Sequence, residues 1–153
     1  MQELCMPMYK IACFSVLVTC LSVLNWHYNL PEAKQIAKSE HRYILLSFSG
    51  SDWCGPCIRM RHEIFESEAF RQLADSALVL VNADFPRMKK NQLPAKQQGI
   101  NNEMADRYNP QGRFPLTLIL DADGKVLKEW EGFVNEPPAQ FTSQVKGIMD
   151  ANR

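Results

Sequence analysis

Two cysteines three positions apart, Cys54 and Cys57, are the residues of this chain best suited to do chemistry. They enclose Gly55 and Pro56 in the stretch FSGSDWCGPCIRM, residues 48–60. A Cys-X-X-Cys pair can hold a metal, staple a fold or exchange disulfides. A structural zinc site needs a full tetrahedral ligand set. No second cysteine pair and no paired histidines follow, since His27, His41 and His62 are scattered. A purely structural disulfide across so short a loop adds little stability, because the entropy it removes grows with loop length. Disulfide exchange is therefore the favoured chemistry.

That chemistry depends on where the pair sits. YILLSFS (43–49) is a β-rich apolar run of buried-strand length, and helical spacing begins just after the motif. Cys54 then lies at a helix N-terminus, where unpaired backbone N–H groups and the positive end of the macrodipole favour thiolate over thiol. The thiolate is the reactive form. Cys57, one helical turn on, falls on the same face at a separation that disulfide geometry allows. It is expected to be the more buried of the two. Cys54 can attack a substrate disulfide, and Cys57 can then resolve the mixed disulfide. Pro56 has no N–H to lose in the first turn and stiffens it. Gly55 keeps the approach to Cys54 open, and Trp53 offers a flat apolar wall.

The remaining pattern supplies a scaffold. PEAKQIAKSE (31–40) reads as a helix with Pro31 in its first turn. After the motif one continuous helix is predicted, carrying Ile58, Arg61, Ile64 and Phe65 and then Phe70 and Leu73. ALVLVNADF (77–85) reads as a strand covered on both faces. The polar segment 86–113 reads as a surface loop, with a helix over NNEMADRYN (101–109) capped by Asn101 or Asn102. FPLTLILDADGKVLKEWEGF (114–133) is a hairpin turning at Asp-Gly. A last helix starts at Asn135 or Glu136, with Phe141, Val145, Ile148 and Met149 as its apolar stripe. This order predicts an α/β fold: a mixed sheet of four strands, five at most, with helices on both faces.

Length and composition bound the function. A chain of 153 residues suits one domain. Seventeen basic residues balance seventeen acidic ones, so no electrostatic footprint for nucleic acid is present. RMKK (87–90) reads as a solvated loop. The other cysteines, Cys5, Cys13 and Cys20, lie in the first twenty residues. There IACFSVLVTCLSVL (11–24) is uncharged, and eleven of its fourteen residues are apolar. The domain reading is a signal peptide or membrane anchor over 1–24 and one folded domain over 25–153. The apolar centre fits an export signal. An uncleaved anchor ranks second, because a span of about 20 apolar residues is reached only by including Asn25, His27 and Asn29. LVTC (17–20) faintly resembles a lipobox. Export would leave only the 54/57 pair, which suits an oxidising compartment.

The five residues WCGPC (53–57), between a strand and a helix, resemble the active-site motif of the thioredoxin superfamily. The resemblance covers roughly residues 30–150, and its pattern is similar to the exported bacterial branch related to thiol:disulfide interchange proteins. It implies the thioredoxin fold and a protein thiol–disulfide oxidoreductase with no metal or organic cofactor, only a redox-active Cys54–Cys57 disulfide. It implies a cis-proline at Pro115 beside Cys54, with Phe114 and Gly132 helping to bind an extended substrate. Gly-Pro between the cysteines resembles reducing members, so a reductase is expected ahead of an oxidase or isomerase. A non-catalytic interaction module of the same fold is the alternative from another class. The implied partners are protein disulfide substrates and a dithiol electron donor, in an oxidising compartment a membrane protein. The expected location is periplasmic or membrane-tethered with the domain outside the cytoplasm, and the expected state is a monomer. One departure stands out. Thioredoxin proper has a buried Asp and a nearby Lys, and those positions fall here on Ser47 and Leu80. The proton of the buried thiol must then leave by another route, through water or Asp52.

Overall fold

The computed structural model describes residues 24–153. The expectations for an export signal, an anchor or a lipobox fall almost wholly on residues 1–23, outside the described ones. Among the described residues no helix is long and apolar enough to cross a membrane.

The chain runs β1 (Trp26–His27), α1 (Leu30–Glu40), β2 (Tyr43–Ser49), α2 (Gly55–Arg59), a π-helical turn (Met60–Phe65), α3 (Glu68–Ala77), β3 (Leu78–Asp84), a 3-10 turn (Lys89–Asn91), α4 (Ala95–Tyr108), β4 (Leu116–Leu120), β5 (Val126–Glu131) and α5 (Pro138–Ala151). The strands form a five-stranded mixed sheet in the order β1-β3-β2-β4-β5. β2 is central, parallel to β3 and antiparallel to β4. The fifth strand is the two-residue β1, parallel to β3 at the edge.

Alternation along the strands sends neighbouring side chains to opposite faces. Ile44, Leu46 and Phe48 pack with Val79, Val81 and Ala83 under α1 and α4. Leu45, Leu80 and Ile119 pack on the other face with Met60, Phe65, Phe70, Phe141, Val145 and Met149. The second face becomes polar towards the ends of β2 and β3. Ser47 pairs with Asn82 and Ser49 with Asp84 in the parallel register. Ser49 Oγ donates to Asn82 Oδ1 at 2.9 Å and contacts Asp84 Oδ1 at 3.1 Å.

Three segments differ from expectation. The helix after the motif is not continuous: it passes through the π-helical turn, breaks at Glu66–Ser67 and restarts as α3. Ser67 serves both sides of the break, donating to Ile64 O at 2.7 Å and accepting from Phe70 N–H at 3.3 Å. The break keeps Phe65 and Phe70 in one cluster, their ring centroids 5.1 Å apart. Secondly, the supposed loop 86–113 contains a fourteen-residue helix that starts after Pro94. Asn101 is no cap but an interior residue, 1% exposed. Its Nδ2 donates to Asp84 O at 2.7 Å, and its Oδ1 accepts from Gln97 Nε2 at 2.8 Å. Polar bonds to the end of β3 thus replace the apolar face that sequence reading looks for. Thirdly, α5 begins at Pro138, after Pro137 as its N-cap, rather than at Asn135 or Glu136.

The hairpin turns where Asp-Gly predicts. Asp121 Oδ1 accepts from Asp123 N–H and Lys125 N–H, and Gly124 adopts φ 87°. β5 closes the sheet with Lys128, Glu129 and Glu131 exposed and Trp130 turned against Phe141 at 5.1 Å between centroids. Phe141 is fully buried and also meets Phe65 and Phe70. Phe141→Ala is expected to lower stability by about 3–5 kcal/mol, as for other buried aromatic truncations. Urea unfolding should show a lower midpoint at unchanged slope.

Candidate active site

The site is built at the end of the central strand β2. Ser49 ends the strand, and Gly50 O accepts the N–H of Cys54 at 2.9 Å in a tight turn. Gly50 has a steric reason to be glycine, since a Cβ there would run into the indole of Trp53. Cys54 is the N-cap of α2, with φ −93° and ψ 94°, and Gly55 and Pro56 fill the first turn. Cys54 and Cys57 are joined as a disulfide with Cα atoms 5.2 Å apart. Cys57 N–H points at Cys54 Sγ, 3.2 Å away. A sulfur in this position is offered an orphan donor and the positive helix end at once. The expectation that Cys57 is the more buried is not met: both residues are 5% exposed. The bond draws the Cys54 side chain against the first turn, and Gly55 and Pro56 are the residues left exposed there.

Trp53 is fixed on several sides. Its Nε1–H donates to Phe85 O at 2.7 Å, and its ring meets Phe114 edge-on at 5.5 Å. The guanidinium of Arg87 lies 3.6 Å over the indole. Phe114 also meets Phe85 at 5.5 Å, so an aromatic row joins the motif to the β4 side of the site. The Phe114–Pro115 bond is cis. Gly132 N–H donates to Pro115 O at 2.8 Å, and Gly132 has φ 78° with open space where a Cβ would stand.

Two positioning residues have no counterpart in the sequence reading. One is Gly50. The other is Asn109, 2% exposed, whose Oδ1 accepts Arg113 N–H and whose Nδ2 donates to Arg113 O, both at 2.8 Å. It thereby braces the chain entering Phe114–Pro115. Gly50 could be suspected as a glycine in a turn, and Asn109 as the start of one, since Pro110 and Gly112 follow and its partner Arg113 is four residues on.

Ser47 and Leu80, at the positions of thioredoxin's charged pair, are both buried and carry no ionisable group. Asp52 is engaged in a turn. Its carboxylate accepts Arg87 N–H, Met88 N–H and Asn91 Nδ2–H, each at 2.9 Å, and so holds the 87–91 turn beside Trp53. Among the described residues no cluster of His, Cys, Asp and Glu suits a metal ion.

Residues 30–147 match the thioredoxin-like domain family. The chain belongs to this family. Disulfide bond reductase DsbH of Chlamydia pneumoniae is 37% identical over 126 residues, which is 82% of this chain and 73% of that one. A solved structure of a DsbH oxidoreductase superposes on this thioredoxin-like chain with a TM-score of 0.75 at 33% identity, covering 98% of this chain and 95% of the other. Thioredoxin-related protein DsbJ of Chlamydia pneumoniae is 25% identical over 127 residues, but the match spans 36% of its length.

The backbone bond from Arg87 is the main reason the Asp52 carboxyl is held below the usual aspartate range, with Asn91 and Met88 adding to it. A lowered folded-state value means the clamp is complete above the ordinary aspartate value and is lost as pH falls through the lowered one. The amide resonances of Arg87 and Met88 should therefore stay put through neutral and mildly acidic pH and move together only in strong acid. Asp52→Asn should remove that joint transition from an amide pH titration.

Proposed function

We propose that this chain is a thiol–disulfide oxidoreductase that reduces protein disulfides outside the cytoplasm, with Cys54 as attacking thiolate and Cys57 as resolving thiol. The observation that carries this reading is the Cys54–Cys57 disulfide at the N-cap of α2, with Cys57 N–H aimed at the Cys54 sulfur. On reduction, the same donor and helix end stabilise a thiolate at Cys54.

The thiolate forms a bond to one sulfur of the substrate disulfide and expels the other as a thiolate, which takes a proton from solvent. Cys57 then loses its proton and bonds to Cys54 Sγ. The Cys54–substrate bond breaks, and the second substrate sulfur leaves with its electron pair. The substrate gains two electrons, and the 54/57 pair becomes the disulfide seen here. Trp53 and Phe114 supply an apolar wall, while Pro115 and Gly132 leave room for an extended substrate backbone beside the sulfurs. Gly55 and Pro56 shape the first turn. No metal or organic cofactor takes part.

The reducing direction is supported by Gly-Pro between the cysteines and by the relative named as a disulfide bond reductase. Work outside the cytoplasm is supported by the uncharged apolar stretch 11–24, read as a signal peptide or anchor ahead of a domain over 25–153. A reductase in an oxidising compartment needs a dithiol donor, which we assign to a membrane protein. The chain acts as a monomer.

Reduction of insulin disulfides with a dithiol donor tests the reading. Cys54→Ser should abolish turnover, and Cys57→Ser should accumulate a mixed disulfide through Cys54. The pair should have a reduction potential near about −270 mV, the thioredoxin region, whereas a value near about −120 mV would mark an oxidant. Partner binding that survives loss of both cysteines, with no turnover in the unmodified chain, would instead make the domain an interaction module.

A further inference from the structure

A cavity of about 230 Å³ lies behind the disulfide. Cys57, Ile58, Arg61, His62, Phe65 and Glu66 line it from the helical side. Ser47, Ser49, Ser51 and Asn82 line it from the sheet, with Trp26 and Tyr28 at the β1 edge. The preceding residues on this face of β2 and β3, Leu45 and Leu80, are apolar, so this polar stripe needs a reason. Ser47 is 4% exposed and faces the cavity among Ser49, Ser51 and Asn82. Polar groups around a cavity of this size give water the partners it requires. At the rim, His62 Nδ1 lies 2.8 Å from Glu66 Oε2. This pair shares the cavity with the buried Cys57, the His62 side chain being 61% exposed and Glu66 half-buried.

We propose that this cavity is the proton path of Cys57, running over Ser47, Ser49 and Asn82 to His62, which accepts the proton with Glu66 orienting its ring. The proposal rests on the oxidoreductase reading above and concerns its resolving step. As the Cys57 sulfur bonds to Cys54, its S–H bond breaks. The proton passes through cavity water to the free ring nitrogen of His62, and the imidazolium later releases it to solvent. This path substitutes for the buried carboxylate that Ser47 replaces. His62 acts through water, so it is a positioned proton acceptor that does not touch the reacting sulfurs.

The ionisable groups around His62 are few. Arg61 and Glu66 lie on its own helical segment, with Arg61 Nε 3.3 Å from Glu66 Oε1. Tyr28 faces the cavity from the β1 edge. Asp84 stands behind the stripe on β3, where its carboxylate accepts Ser51 N–H and the Ser51 hydroxyl and lies 3.1 Å from Ser49 Oγ. The hydrogen bond from His62 is the main reason the Glu66 carboxyl is held below its usual range, so Glu66 stays ionised beside the ring.

The test separates the two chemical steps. The reduced full chain is mixed rapidly with oxidised glutathione, quenched with acid, alkylated and peptide-mapped across a pH series in light and heavy water. His62→Gln changes an exposed side chain, and it should form the mixed disulfide at the wild-type rate. It should resolve that intermediate at least about tenfold more slowly, short of the ~10²–10⁴ of a base in direct contact. Its pH profile and solvent isotope effect should change as well. Ser47→Val, which puts methyl groups in the path, should slow the same step, and Glu63→Gln, on the same helical segment but outside the cavity, should match wild type. A His62→Gln chain that resolves at the wild-type rate with an unchanged pH profile overturns the proposal. A wild-type chain that forms no mixed disulfide overturns the oxidoreductase reading and this proposal with it.

Discussion

The structure depends on the meeting of one sulfur with one helix end. The first N–H groups of any helix lack partners, and something must take their place. Here Cys54 does so, receiving Cys57 N–H at 3.2 Å where a serine or aspartate would ordinarily cap. The arrangement makes a weak acceptor useful, because a sulfur that takes negative charge becomes a much better cap than a neutral one. Helix stability and sulfur reactivity thus draw on the same interaction. Neighbouring features hold that geometry: β2 ends in the middle of the sheet, Gly50 lets the chain turn beneath Trp53, and Pro56 fits a first turn that needs no N–H from it.

Around this point the two sheet faces have different tasks. The face under α1 and α4 is apolar through to Phe48 and Ala83, and it carries the packing. The opposite face is apolar under α5 and α3, then changes to Ser47, Ser49, Asn82 and Asp84 under the motif. Burying hydroxyl and amide groups costs stability unless they are bonded. Ser49 meets that cost by bridging Asn82 and Asp84, and Asp84 O in turn holds Asn101 of α4. The polar stripe is therefore tied into both layers of the fold.

What the sequence showed follows from where local pattern and burial coincide. β2 and β3 were legible because strands covered on both faces read as unbroken apolar runs, and the hairpin because Asp121-Ala122-Asp123-Gly124 has one favourable way to turn. The WCGPC stretch pointed to the candidate site because its residue types constrain one another. α4 was mostly hidden. Its inward residues include Asn101 beside Met104 and Tyr108, so its face looks polar to any periodicity argument. The break before α3 was hidden for the opposite reason: Phe65 and Phe70 keep an apolar rhythm across it. β1 is too short to leave a pattern, and the Asn109 brace joins residues brought together only by the turn.

β5 has a consequence for how the sheet meets its surroundings. It is the outermost strand on its side of the sheet, and an uncovered outermost strand offers backbone groups to any extended peptide nearby. Lys128, Glu129 and Glu131 place charges of both signs along it, while Leu127 and Trp130 turn back to the interior. Any extended strand that lay down there would have to bury those charges. The flank of the molecule is in this way defended against edge-to-edge pairing and aggregation.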